Sequence, residues 1–262
     1  MGTLCDALQI RGGGVVSLAG AGGKTTLMFQ LARELASDGH SVLTTTTTKI
    51  FKPAPDQSPM VVLAENLPIL LEKFGASVPG GLHVTAVCGE LAAQGKLIGY
   101  PPQLIDTVQK TGLFRWILVE ADGARGRPLK VPAAHEPVVP ASSGWVIAMV
   151  GLDVIGKPLD DQHVFRSQDY SRITGLAAGT PVTAESVVRA VLSPGGILKG
   201  FPPEAKRILF LNKAESRGRR AAGREIARSL LERSSGGIDR IIVGSLSPGF
   251  FLLLSCDLQS KR

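Results

Sequence analysis

Seven residues near the N-terminus, Gly20-Ala-Gly-Gly-Lys-Thr-Thr26, combine the side-chain types needed to hold a polyphosphate. Before them runs a short apolar, β-branched stretch, Gly14-Val-Val-Ser-Leu-Ala19, and after them Leu27, Met28, Leu31 and Leu35 recur at helical spacing. A glycine turn leading from a buried strand into a helix aims several backbone N–H groups, and the positive end of the helix dipole, at one place. Lys24 adds a compact positive charge for the β and γ phosphates of a nucleotide, and Thr25 offers a hydroxyl to magnesium.

The full phosphate-loop pattern, G-x-x-x-x-G-K-[ST], needs glycine at position 18; this chain has Leu18 and carries the shorter GxxGKTT. Two further groups of residues extend the reading. Glu120 and Asp122 follow the apolar run Trp116-Ile-Leu-Val119, where carboxylates are costly to bury unless they face a cation, water or hydrogen-bond donors. One of them is expected to hold magnesium or its waters beside Thr25, and the other to orient an attacking water. The alternative is an acidic loop paired with Arg125 or Arg127. The spacing Glu120-x-x-Gly123 resembles the switch signature of the metallochaperone group of P-loop GTPases. Asn212-Lys213-Ala214-Glu215, after Ile208-Leu-Phe-Leu211, resembles the guanine-reading NKxD motif with Glu in place of Asp. The extra methylene moves the carboxylate by roughly 1.5 Å, so adenine and guanine both stay open.

The expected phosphate site is therefore Gly20, Ala21, Gly22, Gly23, Lys24, Thr25 and Thr26, and the expected base site Asn212, Lys213 and Glu215. Lys24, Glu120 and Asp122 are the expected catalytic groups. Thr25, Glu120 and Asp122 are the expected magnesium ligands, with ATP or GTP as the nucleotide. Among the remaining residues, Thr44 to Thr48 should end at the carboxyl edge of a strand, where their later hydroxyls are candidates for metal, water or phosphate contacts. Lys130, Lys157 and Arg166 could line a pocket for an anionic substrate, or simply be solvated. His135-Glu136-Pro137, Asp153 and His163 have no assigned role, and no His or Cys spacing suggests a transition-metal site.

Positioning these groups takes a parallel sheet. Strands are expected at Gly14 to Ala19, from Ser41, at His83 to Val87, Trp116 to Val119, Trp145 to Val150, Ile208 to Leu211 and Ile241 to Val243. Helices are expected from Leu27 to Asp38-Gly39, and over Gln103 to Lys110, Ala184 to Leu192 and Glu225 to Leu231. Alternating elements of this kind predict one α/β domain over residues 1–262: a three-layer α/β/α fold of the P-loop NTPase kind, with a mostly parallel central sheet and long Gly- and Pro-rich loop insertions.

The 262 residues are 44% hydrophobic, enough for a sizeable core. Net charge is +7, which suits an anionic partner without choosing one. Aromatic residues are only 5%, leaving little to stack bases, so nucleic-acid binding is not expected. The basic stretch Arg217, Arg219, Arg220 and Arg224 reads as a solvated loop and helix face. Cys5, Cys88 and Cys256 are unpaired in the sequence pattern, with Cys88 and Cys256 read as small buried groups. The longest apolar run, Trp145 to Val150, is far short of a membrane span, and no leader is evident, so a cytoplasmic protein is expected.

Taken in order, Val16 to Leu27, Thr44 to Phe51, Val119 to Gly123, His135 to Pro140, Val150 to Asp153 with Gly156 to Leu159, His163 to Arg166 and Leu211 to Lys213 resemble the YqeC proteins. That family is described as accessory to selenium-dependent molybdenum hydroxylases. The resemblance implies a maturation role in which nucleotide turnover assists insertion of selenium or the molybdenum cofactor into an apo-hydroxylase, or acts with a molybdenum cofactor protein. Two other readings stay open. The short GxxGKTT loop is similar to that of Mur-type ATP-dependent ligases, and the departures at Leu18 and Glu215 leave room for a module that holds a nucleotide or pterin dinucleotide without cleaving it.

Overall fold

In the computed structural model the described residues are 3–233, 237–247 and, as backbone, 250–254. Cys256 lies outside them. In chain order the elements are α1 (Leu4–Leu8), β1 (Gly14–Gly20), α2 (Lys24–Ser37), β2 (Val42–Thr46), β3 (Lys49–Phe51), β4 (Val61–Leu63), α3 (Leu67–Phe74) and β5 (His83–Val87). Next come β6 (Gly89–Leu91), β7 (Lys96–Ile98), α4 (Pro102–Thr111), β8 (Trp116–Glu120), β9 (Leu129–Lys130), β10 (Ser143–Gly151), β11 (Val164–Phe165) and α5 (Ser167–Thr174). The chain then forms α6 (Ala184–Leu192), β12 (Lys206–Asn212), α7 (Arg217–Glu232), β13 (Arg240–Ser245) and β14 (Phe250–Leu254).

Nine strands form one sheet in the order β14-β13-β12-β10-β1-β8-β2-β5-β4. Every pairing is parallel except β13 with β14. The first strand is thus central, between β8 and β10, and the chain builds outward from it on both sides. In an open parallel sheet such a reversal leaves a crevice at the carboxyl ends of the strands, where ligands bind.

The period of two along each strand decides what faces what. Val16 and Leu18 of β1, Trp116 and Leu118 of β8, Ile147 and Met149 of β10, and Ile208 and Phe210 of β12 share a core with Leu27, Met28, Leu31 and Leu35 of α2. The intervening residues face the other layer. Val15, Ile117 and Val119 meet Leu70 of α3 and Ile105 and Val108 of α4. Val146, Ala148, Leu209 and Leu211 meet Val187 and Val191 of α6 and Ile226 and Leu230 of α7. Helices therefore cover both faces, giving the expected three layers. Each fully buried aliphatic side chain of α2 contributes about 1.5–3 kcal/mol to anchoring that helix.

Several local expectations are corrected. Helix α7 begins at Arg217, not near Glu225, because the Ser216 hydroxyl accepts from the Arg219 N–H and caps it. The basic stretch is consequently helical rather than loop. Part of the expected insertion after β2 is ordered as a small antiparallel sheet, β3-β7-β6. Cys88 is half-buried, with its thiol directed at the carbonyls of Ile98 and Gly99. Among the described residues no helix is long and apolar enough to cross a membrane.

Candidate functional site

Glycine is required where β1 turns into α2. Gly20, Gly22 and Gly23 have φ of 88°, 92° and 128°, which L side chains rarely adopt. Space is equally short. A Cβ on Gly20 would lie 2.5 Å from the Met149 carbonyl oxygen, one on Gly23 2.6 Å from Nδ2 of Asn212, and one on Gly22 would overlap the Gly151 nitrogen. The loop is pressed against the ends of β10 and β12. Beyond it, the first N–H groups of α2 have no intrahelical acceptor, and no side chain caps them. By contrast, α3, α6 and α7 are capped by Asn66, Thr183 and Ser216.

The parity of β8 turns Glu120 to the same face as Trp116 and Leu118, toward α2. Oγ1 of Thr25 donates to Oε2 of Glu120 at 2.6 Å. Lys24 is buried; its ammonium donates to the Gly20 carbonyl at 2.7 Å and lies 3.2 Å from Oδ1 of Asp122 and 3.8 Å from Oε1 of Glu120. Asp122 is buried too, and its Oδ2 accepts from the Gly20 N–H at 2.9 Å. The same oxygen is 2.9 Å from Nζ of Lys130. Sequence reasoning thus placed four groups that the fold brings together: Lys24, Thr25, Glu120 and Asp122. Ala21 is buried behind them, while Thr26 is exposed.

Lys130 continues the chain of charges. Its ammonium donates to the Gly123 carbonyl at 2.8 Å and to Oε2 of Glu136 at 2.8 Å, and that oxygen also accepts from Nη1 of Arg166 at 2.7 Å. Cation and anion alternate from Lys24 through Asp122, Lys130 and Glu136 to Arg166. The acidic loop does not pair with Arg125 or Arg127. Nε of Arg127 donates to the Asp161 carbonyl, and Arg125 lies over the Phe165 ring. The sequence identified Lys130 and Glu136 separately but not their partnership, because the two stand six residues apart in a stretch with no regular period that would place one beside the other.

The two glutamates respond to their surroundings in opposite senses. Burial pushes the Glu120 carboxyl above the usual carboxylate range, against the pull of Lys24 and the Thr25 hydroxyl. Burial also pushes Glu136 upward, but the hydrogen bonds from Arg166 and Lys130 outweigh it and hold that carboxyl at about 2. Glu120 is a group whose charge is poorly compensated by protein; Glu136 is paired through one oxygen with two cations.

The predicted base-reading residues are tied into the protein. Nδ2 of Asn212 donates to the Gly22 carbonyl at 2.7 Å, and its Oδ1 accepts from the Leu246 N–H at 3.3 Å. Lys213, at φ 64°, donates to Oδ2 of Asp153 at 2.7 Å. Glu215 accepts from the Ser245 hydroxyl and from Arg219. The loop that follows β12 is therefore fastened to the glycine loop through Asn212.

The threonine run serves mostly as structure. The hydroxyls of Thr45, Thr46 and Thr47 donate to the carbonyls of Ala86, Glu120 and Val138. Their protons are committed to protein carbonyls, and it is the oxygen lone pairs that stay available. Thr47 and Thr48 instead line a cavity of about 510 Å³ together with Lys49, Gly123, Arg125, Glu136, Phe165 and Arg166. Lys157 is exposed and stands apart from that lining, while Lys130 is buried beneath it.

Comparison with known proteins finds similarity over the part of the chain that carries these residues. The family model described as YqeC protein matches residues 16–168, which include the phosphate loop, the β8 carboxylates, Lys130, Glu136 and Arg166. A protein of Escherichia coli (strain K12), named Uncharacterized protein YqeC, is 37% identical over 201 residues, covering 76% of this chain and 75% of its own. With the match covering most of the chain, this protein belongs to the YqeC family.

Proposed function

We propose that this protein is a magnesium-dependent nucleoside triphosphatase of the P-loop kind, whose turnover switches its affinity for a client during maturation of a molybdenum hydroxylase. One observation carries the reading: the uncapped N-terminus of α2 presents Lys24 and Thr25 at hydrogen-bonding or ion-pairing distance from two buried carboxylates at and just beyond the end of β8. A solvated turn would have no reason to bury an ammonium and two carboxylates, each costly to desolvate.

The residues suit the group they would hold. Thr25 and Glu120 offer a set of oxygen donors at the mouth of the loop, and Oδ1 of Asp122 is buried with the Lys24 ammonium 3.2 Å away. Among the described residues no three His, Cys, Asp or Glu side chains gather as a self-sufficient metal cage. Magnesium needs none, because it keeps waters and binds through one or two carboxylates and substrate phosphates. When bound, it would neutralise charge on the terminal phosphates. Lys24 would exchange its contacts to Gly20 and Asp122 for phosphate oxygens, Glu120 and Thr25 would face the metal, and Asp122 would orient water. The base is adenine or guanine. The client expected from the family resemblance is an apo-hydroxylase or a molybdenum cofactor protein, in the cytoplasm.

Phosphate release from ATP and GTP by the purified protein tests this directly. The expected result is magnesium-dependent release that falls at least about 100-fold in Glu120→Gln and in Asp122→Asn, the scale of losing a positioned charged group. Undiminished release in both variants would contradict it. Release of ADP only with an amine and a carboxylic acid present would favour a ligase, and binding without release a carrier module.

A further inference from the structure

The cavity of about 510 Å³ beside the carboxylates is large enough for a complete small ligand. Its chemistry is unusual for a loop surface. Lys49, Arg125 and Arg166 contribute three cations to the lining and Glu136 one carboxylate. That carboxylate is already engaged by both Lys130 and Arg166. Among the described residues neither Lys49 nor Arg125 has a carboxylate partner. The lining therefore holds an excess of positive charge that protein does not neutralise, at a place where the walls are folded rather than free.

Backbone conformation points to the same place. Four described non-glycine residues have positive φ, and two of them, Arg125 at 49° and Arg166 at 63°, are the arginines of this lining. A left-handed backbone at such residues costs on the order of 1–3 kcal/mol, and it persists only where the surroundings enforce it. Both guanidiniums are brought to the Phe165 ring, at 4.5 Å for Arg166 and 5.3 Å for Arg125, with the Lys130 ammonium at 5.8 Å. Attraction to the ring face keeps both guanidiniums beside the cavity, where they can meet an oxyanion.

The opposite side of the lining has the complementary chemistry. The Thr47 hydroxyl proton is given to Val138. The Thr46 hydroxyl gives its proton to the Glu120 carbonyl, so in its 3.1 Å contact with Thr48 it is Thr48 that donates. Both lining hydroxyls are left with lone pairs to offer, and they accept from a ligand rather than donate to it.

We propose that this cavity is a second binding site, separate from the phosphate loop, for a small hydroxylated organic anion. Its phosphate or carboxylate group binds Arg125, Arg166 and Lys49, and its hydroxyls donate to Thr47 and Thr48. The site stands on its own residues and does not depend on nucleotide binding.

Calorimetric titration with ribose 5-phosphate and with gluconate separates phosphate from carboxylate as the recognised group. Binding of at least one to the wild-type protein is expected. Affinity should fall at least about tenfold in Arg125→Ala/Lys49→Ala and stay within about threefold in Lys24→Ala. Thermal melts of each variant confirm folding, and nucleotide titration of the same samples reads the phosphate loop independently. Binding of neither probe would overturn the proposal. So would equal affinity in the double variant, or loss confined to Lys24→Ala, which would assign the anion to the phosphate loop.

Discussion

At the scale of single residues, two glutamates of the same type have been given opposite characters by their neighbours. Glu136 has a folded-state pKa near 2, below its unfolded value. Its contribution to stability is accordingly present above about pH 4.5 and lost as pH falls toward 2. The Glu136→Gln variant should be less stable than wild type at pH 6, by about 2–3 kcal/mol for the loss of a charge from a largely buried network. That gap should close in melts taken between pH 4.5 and pH 2; a gap independent of pH would show that the ion pairs to Lys130 and Arg166 carry none of it. Glu120 follows the reverse rule: its raised pKa means that the neutral form is favoured on folding, and its contribution declines as pH rises through the folded value. A magnesium ion at Thr25 would relieve that cost.

At the scale of elements, the glycine loop between β1 and α2 is held by strands that lie far away in the sequence. Asn212, at the end of β12, bonds both the Gly22 carbonyl and the Leu246 N–H. Asn212→Ala leaves one buried acceptor and one buried donor unpaired, and about 2–4 kcal/mol of stability should be lost in denaturant titrations. Nucleotide affinity should fall with it, because Gly22 loses its tether. Stability within about 0.5 kcal/mol of wild type would show the tether to be incidental. How far this was readable beforehand depended on the range of the signal. The strand, glycine turn and helix from Gly14 to Leu35 were legible, since periodicity, glycines and the lysine all lie within one short window. The start of α7 is hidden in the sequence because its glycines and arginines mask a cap at Ser216, and the small sheet around Lys49 is hidden because its strands are too short to show alternation.

For the whole molecule, topology does what no single motif can: with β1 in the middle of a nine-stranded sheet, segments from residues 20 to 215 converge on one edge. The three-layer fold and the carboxylates beside Lys24 followed from local pattern. The alternating charges through Lys130 to Arg166 did not, because Asp122, Lys130 and Glu136 lie in an irregular connection between β8 and β10 that has no periodicity to read, and Arg166 joins them from 30 residues further on. Ligand binding at such a junction stabilises all the strands that meet there. Magnesium with ATP or GTP at about 100 times its dissociation constant should stabilise the fold by about 2.7 kcal/mol. At about 2–4 °C per kcal/mol for a chain of this size, the melting temperature should rise by several degrees. An unchanged melting temperature at saturating nucleotide would argue that the crevice is not the binding site.

The most direct measurement is calorimetric titration of magnesium-ATP and magnesium-GTP into the wild-type protein and into Lys24→Ala. Saturable binding of at least one nucleotide by wild type, reduced at least about 100-fold or abolished when the ammonium is removed from a properly folded variant, is the result expected of a polyphosphate site at Gly20–Thr25. Equal affinity in the two proteins, or no binding by either, would contradict it.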